Sequence, residues 1–319
     1  MRSDQSWRRD PGAVRPAPGD PGASGEFTHP ARLAVGVVGA GRAGTAMAVA
    51  LSRAGHQVVA AAAVSDASLR RAAAHLPEAV IGSPEEVVAS SDLVLLTVPD
   101  DALPGLVSGL AATGVPLAGR VLVHASGRHG LAVLSPATRL GALPLALHPV
   151  MTFAGRADDV EKMHGISFGV TAPEELRLIA EALVVEMGGE CVFIAEQDRI
   201  LYHAALASSA NYLITLVAEA CDLLRAAGVA DPARMLGPLL GAALENVLTL
   251  GDPALTGPVA RGDAETVAAH VSAIAATRPG SLPAYLALAR LTADRALAAG
   301  SLRPEAAKGL LGALAEPRR

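Results

Sequence analysis

The first half of the chain alternates short, unbroken apolar runs with amphipathic, alanine-rich stretches. Val35-Gly36-Val37-Val38 is the first such run, and residues 57–64, 79–81, 93–98, 120–124 and 143–147 repeat it. Each has strand length and is apolar on both faces, so each predicts a buried strand. Between them, residues 42–54 read as a helix with Gly55 placed to cap it, and 69–75 and 102–112 read as two more. Ser83-Pro84-Glu85-Glu86 opens another, with Ser83 as N-cap, Pro84 in the first position and acids in the first turn. Pro104 is tolerated because it falls in a first turn. Strand alternating with helix predicts an α/β fold, a doubly wound parallel sheet covered on both faces.

Beyond about residue 169 the pattern lengthens into helical periodicity. Residues 173–187 read as a helix closed by Gly188-Gly189, followed by a short strand at 191–194. Helices then follow at 198–228, 231–250, 264–277, 282–299 and 303–314, broken at Gly251-Asp252-Pro253, Thr256-Gly257-Pro258 and Pro279-Gly280. The expected organisation is a disordered, proline-rich extension over residues 1–30, a dinucleotide-binding domain over 31–165 and a mainly helical domain over 166–319. Residues 200–218 contain no Asp, Glu, Lys or Arg, a stretch of transmembrane length. Its Tyr202, His203, Ser208, Ser209, Asn211, Tyr212 and Thr215 suit protein surroundings better, so it is expected to be a core helix or a subunit interface.

Composition narrows the function classes. A net charge of −5 argues against general affinity for nucleic acid or anionic membranes. Cys191 and Cys221 are the only cysteines, which excludes a disulfide framework and a zinc knuckle and fits a reducing cytoplasm. No apolar segment follows Arg8-Arg9 to make a secretory signal. The chain lacks a P-loop, H-E-x-x-H, the G-x-S-x-G elbow and an EF-hand, and no metal site is expected. Lys162 and Lys308 are its only lysines.

The candidate chemistry starts at Gly39-Ala40-Gly41-Arg42-Ala43-Gly44, set between strand and helix. In this Rossmann-type arrangement Gly39 permits the turn, Gly41 admits a pyrophosphate and Gly44 lets helix and strand pack closely. The helix N-terminus then faces the phosphates. NAD selection calls for an acid about 20 residues beyond the last glycine, at the end of the second strand. Here that strand ends at Val64-Ser65, and Asp66 comes late. Ser65 and Ser68 can donate to a 2′-phosphate and Arg42, Arg70 or Arg71 can neutralise it, which points to NADP. In the plainer alternative Asp66 caps a helix and the arginines are solvated. Val98 and Pro99 border the same rim of strand ends, and Ser126 and His148 follow apolar strands onto it. Ser126 is a candidate to bind a carboxylate or carbonyl through its hydroxyl and backbone N–H.

In the helical domain, His203 and Asn211 lie about 80° apart on an ideal helix and share a broad face with Ala204, Ala207 and Ala210. Hydride reduction of a carbonyl puts negative charge on oxygen, and a histidine titrating near neutrality can deliver the proton. A buried histidine supporting helix packing is the alternative. Arg261, near Thr256 and Asp263, is a candidate carboxylate clamp, or else a partner for a nearby acid.

Taken together, several segments resemble a known family. They are Gly36 through Met47, Thr97-Val98-Pro99-Asp100-Asp101, His124-Ala125-Ser126-Gly127 and Leu147-His148-Pro149-Val150-Met151-Thr152-Phe153. Tyr202-His203-Ala204-Ala205, Ser209-Ala210-Asn211-Tyr212 and Thr256-Gly257-Pro258 with Arg261-Gly262-Asp263 complete the set. Over about residues 31–315 the chain is similar to Rossmann-like proteins carrying a domain of unknown function 2520. More distantly it resembles ketopantoate reductases, pyrroline-carboxylate reductases and β-hydroxyacid dehydrogenases. The resemblance implies an NADP-dependent oxidoreductase, dimeric through the helical domain, with a small substrate between the domains. It implies reduction of a small keto acid, ketopantoate-like, with an imine or cyclic imino acid reductase as the alternative and a non-catalytic NADP-binding regulatory protein as another. One departure stands out. Ketopantoate reductases and β-hydroxyacid dehydrogenases draw the proton from a lysine in the second domain's first long helix, and this chain has none there. His203 or Tyr202 must replace it for a ketone, whereas an imine nitrogen arrives protonated.

Overall fold

The computed structural model describes residues 32–315, so the expectation for residues 1–30 lies outside the described residues. The chain divides into two compact units between Phe193 and Ile194.

The first unit is built on one eight-stranded sheet. Its strands are β1 (Ala34–Val38), β2 (Gln57–Ala62), β3 (Val80–Ile81), β4 (Leu93–Leu96), β5 (Val121–His124), β6 (Leu143–Pro149), β7 (Ser167–Thr171) and β8 (Glu190–Phe193). They lie in the order β3-β2-β1-β4-β5-β6-β7-β8. Every pairing is parallel except β6 with β7. The expected α/β sheet is therefore present, and it extends further than the sequence pattern suggests. β7 and β8 carry it past the expected boundary at residue 165, because Phe168 and Val170 bury on the same face as Val35, Val37, Leu93 and Leu95.

Alternate residues of the central strands feed two cores. Leu93 and Leu95 pack with α1 (Arg42–Arg53) and α6 (Arg177–Glu186) on one face, through Met47, Leu51, Leu183 and Val184. Val94 and Leu96 pack on the other with α3 (Pro84–Ala89) and α4 (Leu103–Ala112), through Val87, Val88, Val107 and Leu110. Full burial stabilises each such side chain by roughly 1.5–3 kcal/mol. α2 (Asp66–His75) sits beside α1, and α5 (Ser135–Thr138) is a single turn before β6. Ser83 forms the predicted cap of α3 as a full capping box with Glu86. His56, buried at the start of β2, accepts the Leu33 N–H at Nδ1 (3.0 Å), so its ring proton sits on Nε2 and faces Glu186 Oε2 at 2.7 Å. That contact ties α6 to the start of β2.

The second unit is helical: α7 (Arg199–Ala207), α8 (Leu213–Ala226), α9 (Pro232–Leu250), α10 (Pro258–Arg261), α11 (Ala264–Thr277), α12 (Leu282–Ala298) and α13 (Pro304–Ala313). Its core is gathered by α10 to α13 through Ala260, Val267, Leu286, Ala293 and Leu310. The helix expected at 198–228 is present but is split by a π-helical turn, Ser208–Tyr212. The expectation that it is a core helix is corrected within this chain. Ile200, Leu201, Ile214 and Leu216 are exposed, and none of its most apolar 18-residue window is buried. The helical run Glu196–Ala226 is long and apolar enough to cross a bilayer by length and composition.

Candidate functional site

The glycine loop shows why three glycines are needed, and for different reasons. Gly39 turns the chain with φ +94°, a conformation costly for any other residue. A Cβ there would lie 2.8 Å from the Thr97 carbonyl carbon and 2.9 Å from the Val98 nitrogen. At Gly44 a Cβ would collide with Thr97 Oγ1 and lie 2.7 Å from Gly39 O. At Gly41 it would meet only Gly39 O, at 3.8 Å. Gly39 and Gly44 are thus demanded by packing, whereas Gly41 keeps an outward surface bare.

The loop's own amides are divided just as sharply. Gly39 N and Ala40 N both donate to Ala62 O, at 2.9 and 3.2 Å, and Gly41 N donates to Gly39 O at 2.6 Å. Ala40, included in the expected cofactor loop, has its N–H committed to joining the end of β1 to β2. The amides of Arg42, Ala43 and Gly44 form the first turn of α1, which has no side-chain cap and no acidic residue. Helix geometry leaves these N–H groups without intrahelical acceptors. A bare Gly41 surface beside them fits the pyrophosphate of a dinucleotide, whose charge the helix end favours. Thr97, given no role of its own in the sequence, donates from Oγ1 to Gly39 O at 2.7 Å and holds the loop against the end of β4. Its position straight after an apolar strand was the available signal. Val98 is half-buried and Pro99 exposed on the same rim.

At the end of β2, Val64 is fully exposed and Ser65 caps α2. Asp66 is the first residue of that helix rather than its cap. Ser65 Oγ accepts the Ser68 N–H at 3.2 Å and lies 3.1 Å from Ser68 Oγ. Whichever hydroxyl donates to the other, the pair keeps one hydrogen to offer outward.

Ser126 is placed differently from its expected role. Its backbone N–H donates to His124 Nδ1 (3.2 Å), and its Oγ accepts the His129 N–H (3.1 Å). The proton of His124 therefore sits on Nε2, which donates to Gly130 O at 2.8 Å. His129 Nε2 lies 3.0 Å from Asp100 O and joins this turn to the one after β4. Ser126 is buried and its amide is spent on the turn. The expected pairing of hydroxyl and amide toward a substrate is not assembled. His148, expected beyond a strand end, lies within β6 opposite Gly169 of β7, because the strand continues to Pro149.

In the second unit, the π turn alters the relation between His203 and Asn211. A π turn absorbs about one extra residue without advancing the helix phase. Asn211 lies inside that turn, so the lower rotation per residue brings the two positions closer in azimuth than the roughly 80° of an ideal helix. His203 is half-buried and Asn211 exposed. Thr215 Oγ1 donates to Asn211 O at 3.1 Å and Ser209 Oγ to Leu206 O at 3.0 Å, which satisfies carbonyls that the wider turn loosens. One turn before His203, Arg199 is buried, with its guanidinium 5.6 Å from the centre of the Tyr202 ring.

Arg261 does not stand as a free clamp, since its Nη1 donates to Thr256 O and folds the loop back on itself. Asp263 caps α11 by accepting the Thr266 N–H at 3.1 Å. Hydrogen bonding from Thr266, with Arg261 and His270 nearby, holds its carboxyl below the ordinary carboxylate range. His270 Nδ1 lies 3.0 Å from Tyr285 OH, and burial pushes the Tyr285 phenol up. Among the described residues, no three His, Cys, Asp or Glu side chains gather closely enough to hold a metal ion.

Comparison with known proteins agrees with this layout. The Rossmann-like domain family matches residues 19–149, and a domain of unknown function (DUF2520) matches residues 166–292. No curated protein matches the sequence. Among solved structures, a Bacteroides fragilis protein provisionally named an NADP oxidoreductase is 22% identical, with a TM-score of 0.69 over 82% of this chain and 98% of its own. The imine reductase of Myxococcus stipitatus in complex with NADP+ is 17% identical, with a TM-score of 0.60 over 82% of this chain and 94% of its own. The pyrroline carboxylate reductase of Plasmodium falciparum with NADP bound is 13% identical, with a TM-score of 0.53 over 88% and 97%. At these identities the likeness is one of fold. The chain belongs with the proteins that join a Rossmann-like domain to a domain of unknown function 2520.

Proposed function

We propose that the chain is an NADPH-dependent reductase of a small molecule's C=N or C=O bond. The observation that carries this reading is the division of labour among the glycines: two are fixed by packing, while Gly41 keeps bare a surface beside three helix amides that have no partner among the described residues. Arg42, Ala43 and Gly44 would hold the pyrophosphate through those amides, and the Ser65–Ser68 pair would face the adenosine ribose. When bound, the dinucleotide supplies the hydride. In the second unit His203 delivers a proton to the reduced atom, and Asn211, brought closer to the same helix face by the π turn, orients the substrate.

The imine reading has the stronger support. Two of the similar folds named above carry out reductions of C=N bonds by their names, and this chain lacks a lysine on α7 and α8. A protonated imine asks less of its donor than a ketone does. The keto acid reading, ketopantoate-like, requires His203 to carry the full proton transfer. We also propose a cytoplasmic homodimer joined through the helical unit, since Ile200, Leu201, Ile214, Met235, Leu239 and Leu248 form apolar surface that a single chain leaves open.

The test is NADPH oxidation by the full chain against a panel of cyclic imines and 2-keto acids. Turnover of imines over keto acids is the expected result. Tight NADPH binding with no turnover on any member would make the protein a binding module. Sedimentation of the purified chain without detergent is expected to give twice the chain mass.

A further inference from the structure

Beside the N-terminus of α1 lies a pocket whose electrostatics nothing above explains. It is lined by Arg42 and Thr45 of α1, Arg71 and His75 of α2, and Gly155 and Arg156 from the segment after β6. We propose that Arg42 and Arg71, with Arg156 beside them, read the adenosine 2′-phosphate of NADPH, and that Gly155 makes the space in which the Arg42 side chain and the Arg71 guanidinium meet. This rests on the dinucleotide reading above and names the residues that give it its preference.

Four observations support the assignment. First, a Cβ on Gly155 would lie 3.0 Å from both Cγ and Cδ of Arg42 and 3.5 Å from Nη2 of Arg71, so both side chains reach the same glycine. Its φ of +76° suits glycine as well. Second, neither Arg42 nor Arg71 forms an ion pair among the described residues. Two cations lining one pocket, neither with an ion-pair partner among the described residues, leave room for an anion. Arg70, the neighbouring candidate, is exposed and does not line the pocket.

Third, the pocket's one carboxylate is already committed. Asp159 is buried and accepts backbone N–H groups from Ala154 (3.4 Å), Gly155 (2.7 Å) and Arg156 (3.3 Å). It shapes the segment that presents Gly155 and Arg156. Asp158, the acid 3.3 Å from Arg156, is itself paired with Lys162 at 2.7 Å. Fourth, three guanidinium groups less the Asp159 carboxylate leave a net charge of about +2, which complements a phosphomonoester of about −1.5 to −2. The positive end of α1 adds to the same field.

The experiment titrates NADPH and NADH into the full-length wild type and into Arg42→Gln, Arg71→Gln and Gly155→Ala, read by nicotinamide fluorescence. Both arginine variants are expected to weaken NADPH binding roughly 10- to 100-fold, the worth of a lost charge-assisted hydrogen bond. Arg71→Gln, whose residue has no part in the pyrophosphate site, is the one expected to change NADH affinity less than about twofold on the same scale. Preserved NADH binding also certifies that the variant is folded. Gly155→Ala is expected to act in the same direction by displacing Arg42. Adenosine 2′-monophosphate should compete with NADPH on the wild type and lose that ability in Arg71→Gln. If NADPH and NADH weaken together in Arg71→Gln, or NADPH is unaffected, this assignment is overturned while the dinucleotide reading stands. Inorganic phosphate competing as well as the 2′-nucleotide would show a general phosphate pocket and overturn the nucleotide assignment. If the wild type binds neither dinucleotide, both fall.

Discussion

The glycine loop of the first unit and the α7–α8 helix of the second both carry candidate chemistry, and they are built on opposite principles. In the loop, neighbouring backbone dictates nearly every atom: Gly39 and Gly44 are boxed in by Thr97 and Val98, and Ala40 is pinned to Ala62. The ligand-facing part is what remains once packing has taken its share, the bare Gly41 and three helix amides with no partner among the described residues. Along α7 and α8 many apolar side chains stay exposed, and the irregular feature is the π turn Ser208–Tyr212, which begins five residues after His203 and contains Asn211. A wide turn in an exposed helix forfeits regular hydrogen bonds without an evident packing return. Its effect is to bring the proposed proton donor His203 and the Asn211 amide closer to one helix face. The loop is thus specified by the fold, whereas the helix carries a distortion that the proposed chemistry accounts for.

The largest effect that would sharpen this contrast is Gly44→Val. Overpacking usually costs about 1–3 kcal/mol, and here the contacts include a backbone carbonyl that cannot move aside. The expected outcome is a cost at or above the top of that range, seen as a lowered Tm and loss of NADPH binding together. A smaller and more telling effect is expected from Gly41→Ala. The added methyl meets only Gly39 O at 3.8 Å, so Tm should hold while the Kd for NADPH rises by about tenfold, or about 1.4 kcal/mol. A fall in Tm equal to that of Gly44→Val would show that Gly41 too is a packing residue and erase the distinction.

How much of this was legible in the sequence follows the same division. The strand–glycine–helix junction and the α3 capping box could be read directly, because local rules determine them. β7 was missed because Ser167–Thr171 mixes polar residues with a glycine and pairs antiparallel, which apolar run length does not reveal. Ser126 and His148 looked like rim residues because both follow apolar runs. Only the hydrogen bonds of the turn, and the continuation of β6 to Pro149, show their places. The π turn leaves no mark in periodicity, since one extra residue in an uncharged helix shifts nothing that can be seen. Gly155 and Arg156 lie more than 110 residues from Arg42 in sequence, and only the fold joins them.

The smallest expected effect concerns Asp263, a helix cap in the second unit. Its folded pKa is depressed, so its contribution is present above the unfolded carboxylate range, near pH 4, and is lost as pH falls through the folded value. Wild type and Asp263→Asn should therefore differ in Tm at neutral pH, begin to approach each other below about pH 4, and converge once pH has fallen through the depressed folded value. A difference that persists at low pH would assign the effect to shape rather than charge.

The division of labour between the two units is tested most directly by His203→Ala, assayed for NADPH binding and for turnover of the best substrate from the imine and keto acid panel. The account predicts an unchanged Kd for NADPH with kcat lowered roughly 10²- to 10⁴-fold, the usual worth of a general acid. Turnover at the wild-type rate, with binding equally intact, would remove the second unit's histidine from the chemistry and contradict the account.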